Sequence, residues 1–153
     1  GDFSEKELVA RYNNELADKL GNLVSRVSAL IEKKGVQKCE NKLLKKLKLK
    51  EIEKKIENYE FDKVLNEIFS FVDVCNEYVQ ANEIWISGDR KKLYELADSI
   101  KAIAILLWPF IPSTSEKIAK QFKFDIIYKN IIKPLNAENF KNFKKSEILF
   151  RKI

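Results

Sequence analysis

Asn22 and Arg26 stand four residues apart, and a tryptophan, Trp85, follows far downstream in a stretch that breaks the surrounding pattern. Side chains four apart on a helix lie one above the other on the same face. That face runs beside an apolar stripe, near Arg11, Glu15 and Lys33. An amide offers an acceptor and two donors, whereas a guanidinium offers donors only. An indole adds a flat apolar surface with one N–H. Taken as residue types alone, an ordinary polar flank and a core or loop-packing tryptophan account for these residues more simply than a binding site does.

Covalent and acid–base chemistry has little to work with. The chain contains no His, which removes Ser-His and Cys-His mechanisms and most metal-dependent ones. Carboxylates such as Glu15 and Asp18 are present, but no His, metal cluster or glycine-rich loop accompanies them. Cys39 and Cys75 are the only cysteines and cannot build a zinc site together. No catalytic residue and no metal ligand is assigned. The two lone thiols, with no signal peptide, are expected to be reduced and intracellular.

The elements that must position these residues read as helices. Only four Gly and three Pro interrupt 153 residues, 45% of them hydrophobic and 34% charged. Ser4 and Glu7 fit a capping box, with Phe3 and Leu8 as its hydrophobic staple. Leu8, Tyr12, Leu16, Leu20, Leu23, Val27, Leu30 and Ile31 then repeat at spacings of three and four, up to a stop at Gly35. The expected first helix spans 5–34. A second amphipathic helix is expected over 43–59, on Leu44, Leu47, Ile52 and Ile56. Its lysines, among them Lys45, Lys46, Lys54 and Lys55, read as a solvated face before they read as a phosphate-contacting patch. A third helix is expected over 61–81, with Val64, Leu65, Ile68, Phe71, Val72, Cys75 and Val79 inward. A fourth is expected over 90–107, ended by Trp108-Pro109-Phe110-Ile111-Pro112. A fifth runs from Pro112 to about Phe122, with Ser113, Thr114 or Ser115 as caps.

Residues 123–153 are less regular. A short helix over Ile126–Ile132 and docking of Ile148-Leu149-Phe150 onto the bundle are expected. The fold is therefore read as all-α, one domain over 1–153. It has a lead-in at 1–3, about five main helices, and a short irregular C-terminal segment packing back on them.

The net charge is +6 and the pI about 9.2, which suits a polyanion partner. The support is weak, because Arg11, Arg26, Arg90 and Arg151 are the only arginines and a Lys-, Asn- and Ile-rich composition has a simpler source in genome base composition. The longest apolar run, Ala102 to Ile111, is too short to span a membrane. The chain lacks Met and opens Gly1-Asp2, which reads as an excised part of a longer protein.

Several stretches carry a resemblance to a known family. Arg11-Tyr12-Asn13-Asn14-Glu15-Leu16-Ala17-Asp18-Lys19-Leu20-Gly21-Asn22-Leu23-Val24-Ser25-Arg26 resembles the first helix of the methionyl-tRNA synthetase anticodon-binding domain. Tyr59-Glu60-Phe61 with Asn76-Glu77-Tyr78 resembles its third helix, and Trp85 falls where that family has a tryptophan. Leu106-Leu107-Trp108-Pro109-Phe110-Ile111-Pro112 with Glu116-Lys117-Ile118 resembles its fourth-to-fifth helix corner. Ile148-Leu149-Phe150-Arg151-Lys152-Ile153 resembles its closing segment. Ile84 departs from the family, which usually has Pro before the tryptophan. The ATP-binding and lysine-rich catalytic motifs are missing.

The resemblance implies a domain that reads the CAU anticodon, with Asn22, Arg26 and Trp85 as the reading residues and Arg11, Lys19 and Lys33 as candidate backbone contacts. The implied partners are the initiator and elongator methionine tRNAs and the catalytic domain of the same parent, with no membrane. Chemistry would reside in that catalytic domain, with ATP and magnesium and with zinc as a further candidate; no cofactor is expected in this chain. The implied location is cytoplasmic. The matching domain of another class I synthetase and a helical protein-interaction module stand as alternatives.

Overall fold

A computed structural model describes residues 2–145, with side chains from Glu5 onward; Ile148-Leu149-Phe150 lies outside the described residues. Every regular element among them is helical. The chain begins with α1 (Asp2–Arg11), a π-helical stretch Glu15–Gly21 and α2 (Asn22–Lys34). A 3-10 turn Leu43–Lys46 leads to α3 (Leu49–Glu57) and α4 (Phe61–Ala81). The one-turn α5 (Ile84–Ser87), α6 (Arg90–Leu107) and α7 (Pro112–Phe122) complete the bundle. Two 3-10 turns, Tyr128–Ile131 and Ala137–Phe140, lie in the segment that returns over it.

The helices form where apolar periodicity demands it. Leu16, Leu20, Leu23, Val27 and Ile31 are buried, as are all seven expected inward residues of α4. Full burial of such side chains stabilises by roughly 1.5–3 kcal/mol each. Gly35 ends α2 at φ 77°, a left-handed position that glycine adopts without steric cost.

Successive contacts fix how the first helix meets α4. Tyr12 donates to Asp62 at 3.1 Å, Lys19 pairs with Asp73 at 3.1 Å, and Arg26 donates to Gln80 at 2.8 Å. Residue numbers rise together on both sides, so the two helices run parallel and α3 is the return stroke between them. A tight turn at Tyr59, φ 58°, reverses α3 into α4. Lys55 of α3 reaches Glu67 of α4 at 3.5 Å. α6 runs antiparallel to α4: Tyr78 meets Glu95 near one end, and Phe61 meets Phe110 edge-on at 6.1 Å near the other.

Several expectations are corrected. The first helix starts at Asp2, so Ser4 lies inside it and not at its N-cap position. Its course from 15 to 21 is π-helical, which alters the phase of Arg11 and Glu15 relative to Asn22. The second helix divides into a 3-10 turn and α3, because Leu47 adopts extended backbone between them (ψ 121°); Leu43 is buried there while Ile56 is partly exposed. None of Ser113, Thr114 or Ser115 caps α7. Instead a Glu5 oxygen from α1 accepts from the Ser113 N–H at 3.1 Å and its hydroxyl at 2.7 Å. Residues 126–132 make only the short 3-10 turn, with Ile127 and Ile132 exposed. The return segment packs through Leu135, Phe140 and Phe143, the last two edge-on against Phe122.

α6 is buried on all sides from Leu93 to Leu107, including Glu95, Asp98 and Lys101. Glu95 accepts from the N–H groups of Lys42 and Leu43 at 3.0 and 3.1 Å and from the Tyr78 hydroxyl at 2.6 Å. Asp98 accepts from the Asn41 amide at 2.9 Å, the Leu135 N–H at 3.0 Å and the Lys101 ammonium at 2.7 Å. Lys101 also donates to the Lys133 carbonyl. Tyr94 donates to the Leu135 carbonyl at 2.6 Å, and burial pushes its hydroxyl up to about 12. Removing one partner of a buried, hydrogen-bonded ion pair costs about 3–5 kcal/mol. Asp98→Ala should therefore lower unfolding free energy by about that amount in urea titration, and a loss under about 1 kcal/mol would contradict this account.

Candidate nucleic-acid interface

Asn22 opens α2 at the end of the π-helical stretch and is exposed. The junction is pinned from α4: the Lys19 carbonyl takes the Asn22 N–H and also the Asn76 side-chain amide at 3.1 Å. The Asn22 side chain makes no hydrogen bond among the described residues, so its amide is open to a ligand. Arg26 lies one regular turn further along the same face and is half-buried. One of its five donors is used on Gln80, which holds the guanidinium over the last turn of α4 and leaves the rest available.

Five residues after Gln80 comes Trp85. The chain leaves α4 at Asn82, whose amide donates to the Tyr78 carbonyl at 2.9 Å. Glu83 then takes a left-handed conformation, φ 44° and ψ 49°, and its carbonyl receives the N–H groups of Ile86 and Ser87. Gly88, φ 58°, closes the single turn by donating to the Ile84 carbonyl at 2.8 Å. Ile84 is fully buried, whereas Trp85 is 46% and Ile86 69% exposed. Ile84 thus works as an apolar anchor, and the next side chain is turned outward by it. A Cβ at Gly88 would stand 3.0 Å from Cε of Lys34, so the last turn of α2 also bears on this short helix.

The three reading candidates therefore occupy neighbouring structure. Arg26 touches the turn that leads into α5, Trp85 projects from α5, and Asn22 precedes Arg26 by a turn. The candidate backbone contacts are more scattered. Arg11 lies fifteen residues before Arg26, about 22 Å along a helix. It pairs with Asp62 at 3.6 Å and sits over the Tyr12 ring at 5.2 Å. Lys19 is engaged by Asp73. Lys33 is exposed in the last turn of α2, near the Trp85 end. Gln80, Lys34 and the structural role of Ile84 were not legible beforehand, since each acts through a partner more than fifty residues away or through burial alone.

No helix among the described residues is long and apolar enough to cross a membrane. Among those residues no cluster of three His, Cys, Asp or Glu could hold a metal ion. Cys39 and Cys75 are free thiols, and burial pushes the Cys75 thiol well up.

A model of the family described as the anticodon-binding domain of tRNA ligase matches residues 40–151. The chain belongs to that family. Its relatives include the methionine–tRNA ligases of Caldanaerobacter subterraneus subsp. tengcongensis and of Campylobacter jejuni. Each is 31% identical over the whole of this chain and is covered over 27% of its own length. The methionine–tRNA ligase of Pyrococcus horikoshii is 32% identical over 99% of this chain, which covers 23% of it. The chain thus spans about a quarter of the length of these relatives. The family match includes Trp85 and α5, while Asn22 and Arg26 precede it and are reached by the whole-chain similarities.

In this anticodon-binding domain the Trp85 turn is tied to α6 by Asp89, which caps that helix by accepting from the N–H groups of Lys91 and Lys92 at 3.0 and 3.1 Å. The Lys92 N–H, followed by its ammonium, holds the Asp89 carboxyl below its ordinary range. A depressed folded-state value means stability that is present above the unfolded value and lost as pH falls through the folded one. Asp89→Ala should cost about 0.5–2 kcal/mol at neutral pH. In paired denaturant titrations that cost should shrink below about pH 4. An equal cost at both pH values would count against the ionised cap.

Proposed function

We propose that this chain is the anticodon-reading domain of a methionine–tRNA ligase and that Asn22, Arg26 and Trp85 form its base-reading surface. The observation that carries the proposal is the Arg26–Gln80 hydrogen bond, which fastens a guanidinium to the turn leading into an exposed indole. The methionine–tRNA ligases among the relatives support methionine tRNA as the partner.

The chemistry suits the first base of CAU. Cytosine's pairing edge offers one amino donor and two acceptors. The Asn22 amide accepts from the amino group, and Arg26 donates to the ring nitrogen or the carbonyl. Uracil reverses the first two polarities, so one contact is lost or repulsive. A good paired contact of this kind gives about 1–3 kcal/mol of discrimination. Trp85 holds the splayed base by its face, adding about 1–3 kcal/mol. Single-stranded loops permit this reading because their bases can unstack onto aromatic side chains.

The partners would be the initiator and elongator methionine tRNAs and the catalytic domain of the same parent, in the cytoplasm. That catalytic domain would use ATP with magnesium, and zinc is a further candidate there. The residues of this chain would recognise and hold the anticodon through hydrogen bonds and stacking, with covalent chemistry left to the catalytic domain.

Titration of a CAU anticodon stem-loop and its UAU variant tests the reading. Trp85→Ala should weaken CAU binding about five- to 150-fold, the equivalent of 1–3 kcal/mol; unchanged affinity removes Trp85 from the site. Arg26→Ala should cost more affinity for CAU than for UAU. Equal losses would make Arg26 a phosphate contact, and preference for another anticodon would reassign the domain within the ligases.

A further inference from the structure

The end of the bundle that carries Trp85 also gathers cations. α2 ends on Lys33 and Lys34, and α6 begins on Arg90 and Lys91; all four are exposed. Two backbone-linked contacts lock these ends together. The Gln37 N–H donates to the Arg90 carbonyl at 3.0 Å, and an Arg90 guanidinium nitrogen donates to the Val36 carbonyl at 3.0 Å.

Each glycine of this seam is a floor beneath a basic side chain. A Cβ at Gly88 would lie 3.0, 3.1 and 3.2 Å from Cε, Cδ and Cγ of Lys34. A Cβ at Gly35 would lie 3.6 and 3.7 Å from Nη2 and Nε of Arg90. The Lys34 stem therefore runs across Gly88, three residues beyond Trp85, with its apolar carbons covered and its ammonium in solvent. Lys33, Lys34 and Lys91 form no ion pair among the described residues.

Two of the surrounding carboxylates are already engaged. A Glu32 oxygen accepts from the Lys145 N–H at 2.6 Å, and Asp89 takes the Lys92 ammonium at 3.1 Å besides its two backbone donors. Glu83 is exposed ahead of α5. The contrast with α3 is direct. There Glu51, Glu53 and Glu57 alternate with the lysines, and Lys55 is paired across to Glu67.

We infer that Lys33, Lys34, Arg90 and Lys91 form a phosphate-binding shelf that grips the RNA backbone beside Trp85. The inference rests on the anticodon reading for the identity of the RNA, but the grip itself is blind to base sequence. It moves the backbone contacts away from Arg11 and Lys19, whose charges are compensated by Asp62 and Asp73.

The test is the salt dependence of binding by the whole chain and by Lys33→Gln combined with Lys34→Gln. The probes are the CAU stem-loop, the UAU stem-loop and an oligouridylate strand. Each phosphate contact on a single strand contributes about 0.7 to the slope of log affinity against log salt. The double variant should lower the slope by about 1.4 on all three probes, with similar loss of affinity on each. Circular dichroism should show unchanged helix content. An unchanged slope, or a loss confined to CAU, overturns the shelf. A reduced slope without any preference of the parent chain for CAU upholds the shelf and instead defeats the base-reading proposal.

Discussion

The structure depends on two carboxylates in the middle of its most buried helix. Glu95 and Asp98 do not decorate a surface; they supply acceptors to backbone that has left regular structure. The loop before the 3-10 turn and the segment at Leu135 both bring free N–H groups into the interior, where an unpaired polar group costs free energy comparable to a lost hydrogen bond. Lys101 then compensates the charge at Asp98 and gives a second donor to the Lys133 carbonyl. A helix covered on every side can do this only if its buried polar groups are all matched, so α6 works as an internal post on which two irregular strands of chain are hung.

That post also anchors the end of the bundle that carries Trp85. α6 starts from the Asp89 cap, the cap follows Gly88, and Gly88 closes the turn that turns Trp85 outward. Residues that looked like family signature turn out to be joinery. Asn76 holds the Lys19 carbonyl at the junction before Asn22, and Tyr78 delivers its hydroxyl to Glu95.

Much of the fold could be read from spacing alone. The expected spans of α4, α6 and α7 coincide with the observed ones, because long apolar stripes leave little freedom, and Asp89, Pro109 and Pro112 mark the bounds of α6 and the start of α7. The all-helical class follows from the same periodicity. What could not be read are features decided across the fold. The π-helical stretch keeps an apolar pattern that a regular helix would share. Glu5 capping α7 joins residues more than a hundred apart. The inward polar row of α6 sits among apolar residues that would suit either a half-covered or a fully covered helix. For the site, Asn22 and Arg26 on one face and an outward Trp85 were legible through the family resemblance. Gln80 and Lys34 were not, since an isolated polar residue at a helix end carries no mark of what it will touch.

The parallel course of the first helix and α4 has a consequence for how the domain comes into being. Parallel neighbours cannot be joined by a tight hairpin, so residues 35–60 must traverse the length of the bundle before Arg26 can find Gln80. On the ribosome, the apolar stripe of the first helix emerges well ahead of its partner and stays uncovered until α4 has been made. The grouping of Asn22, Arg26 and Trp85, drawn from stretches more than fifty residues apart, is therefore a late product of chain collapse rather than a local one. A nascent chain stopped before α4 would hold Asn22 and Arg26 on a helix with nothing to set their direction.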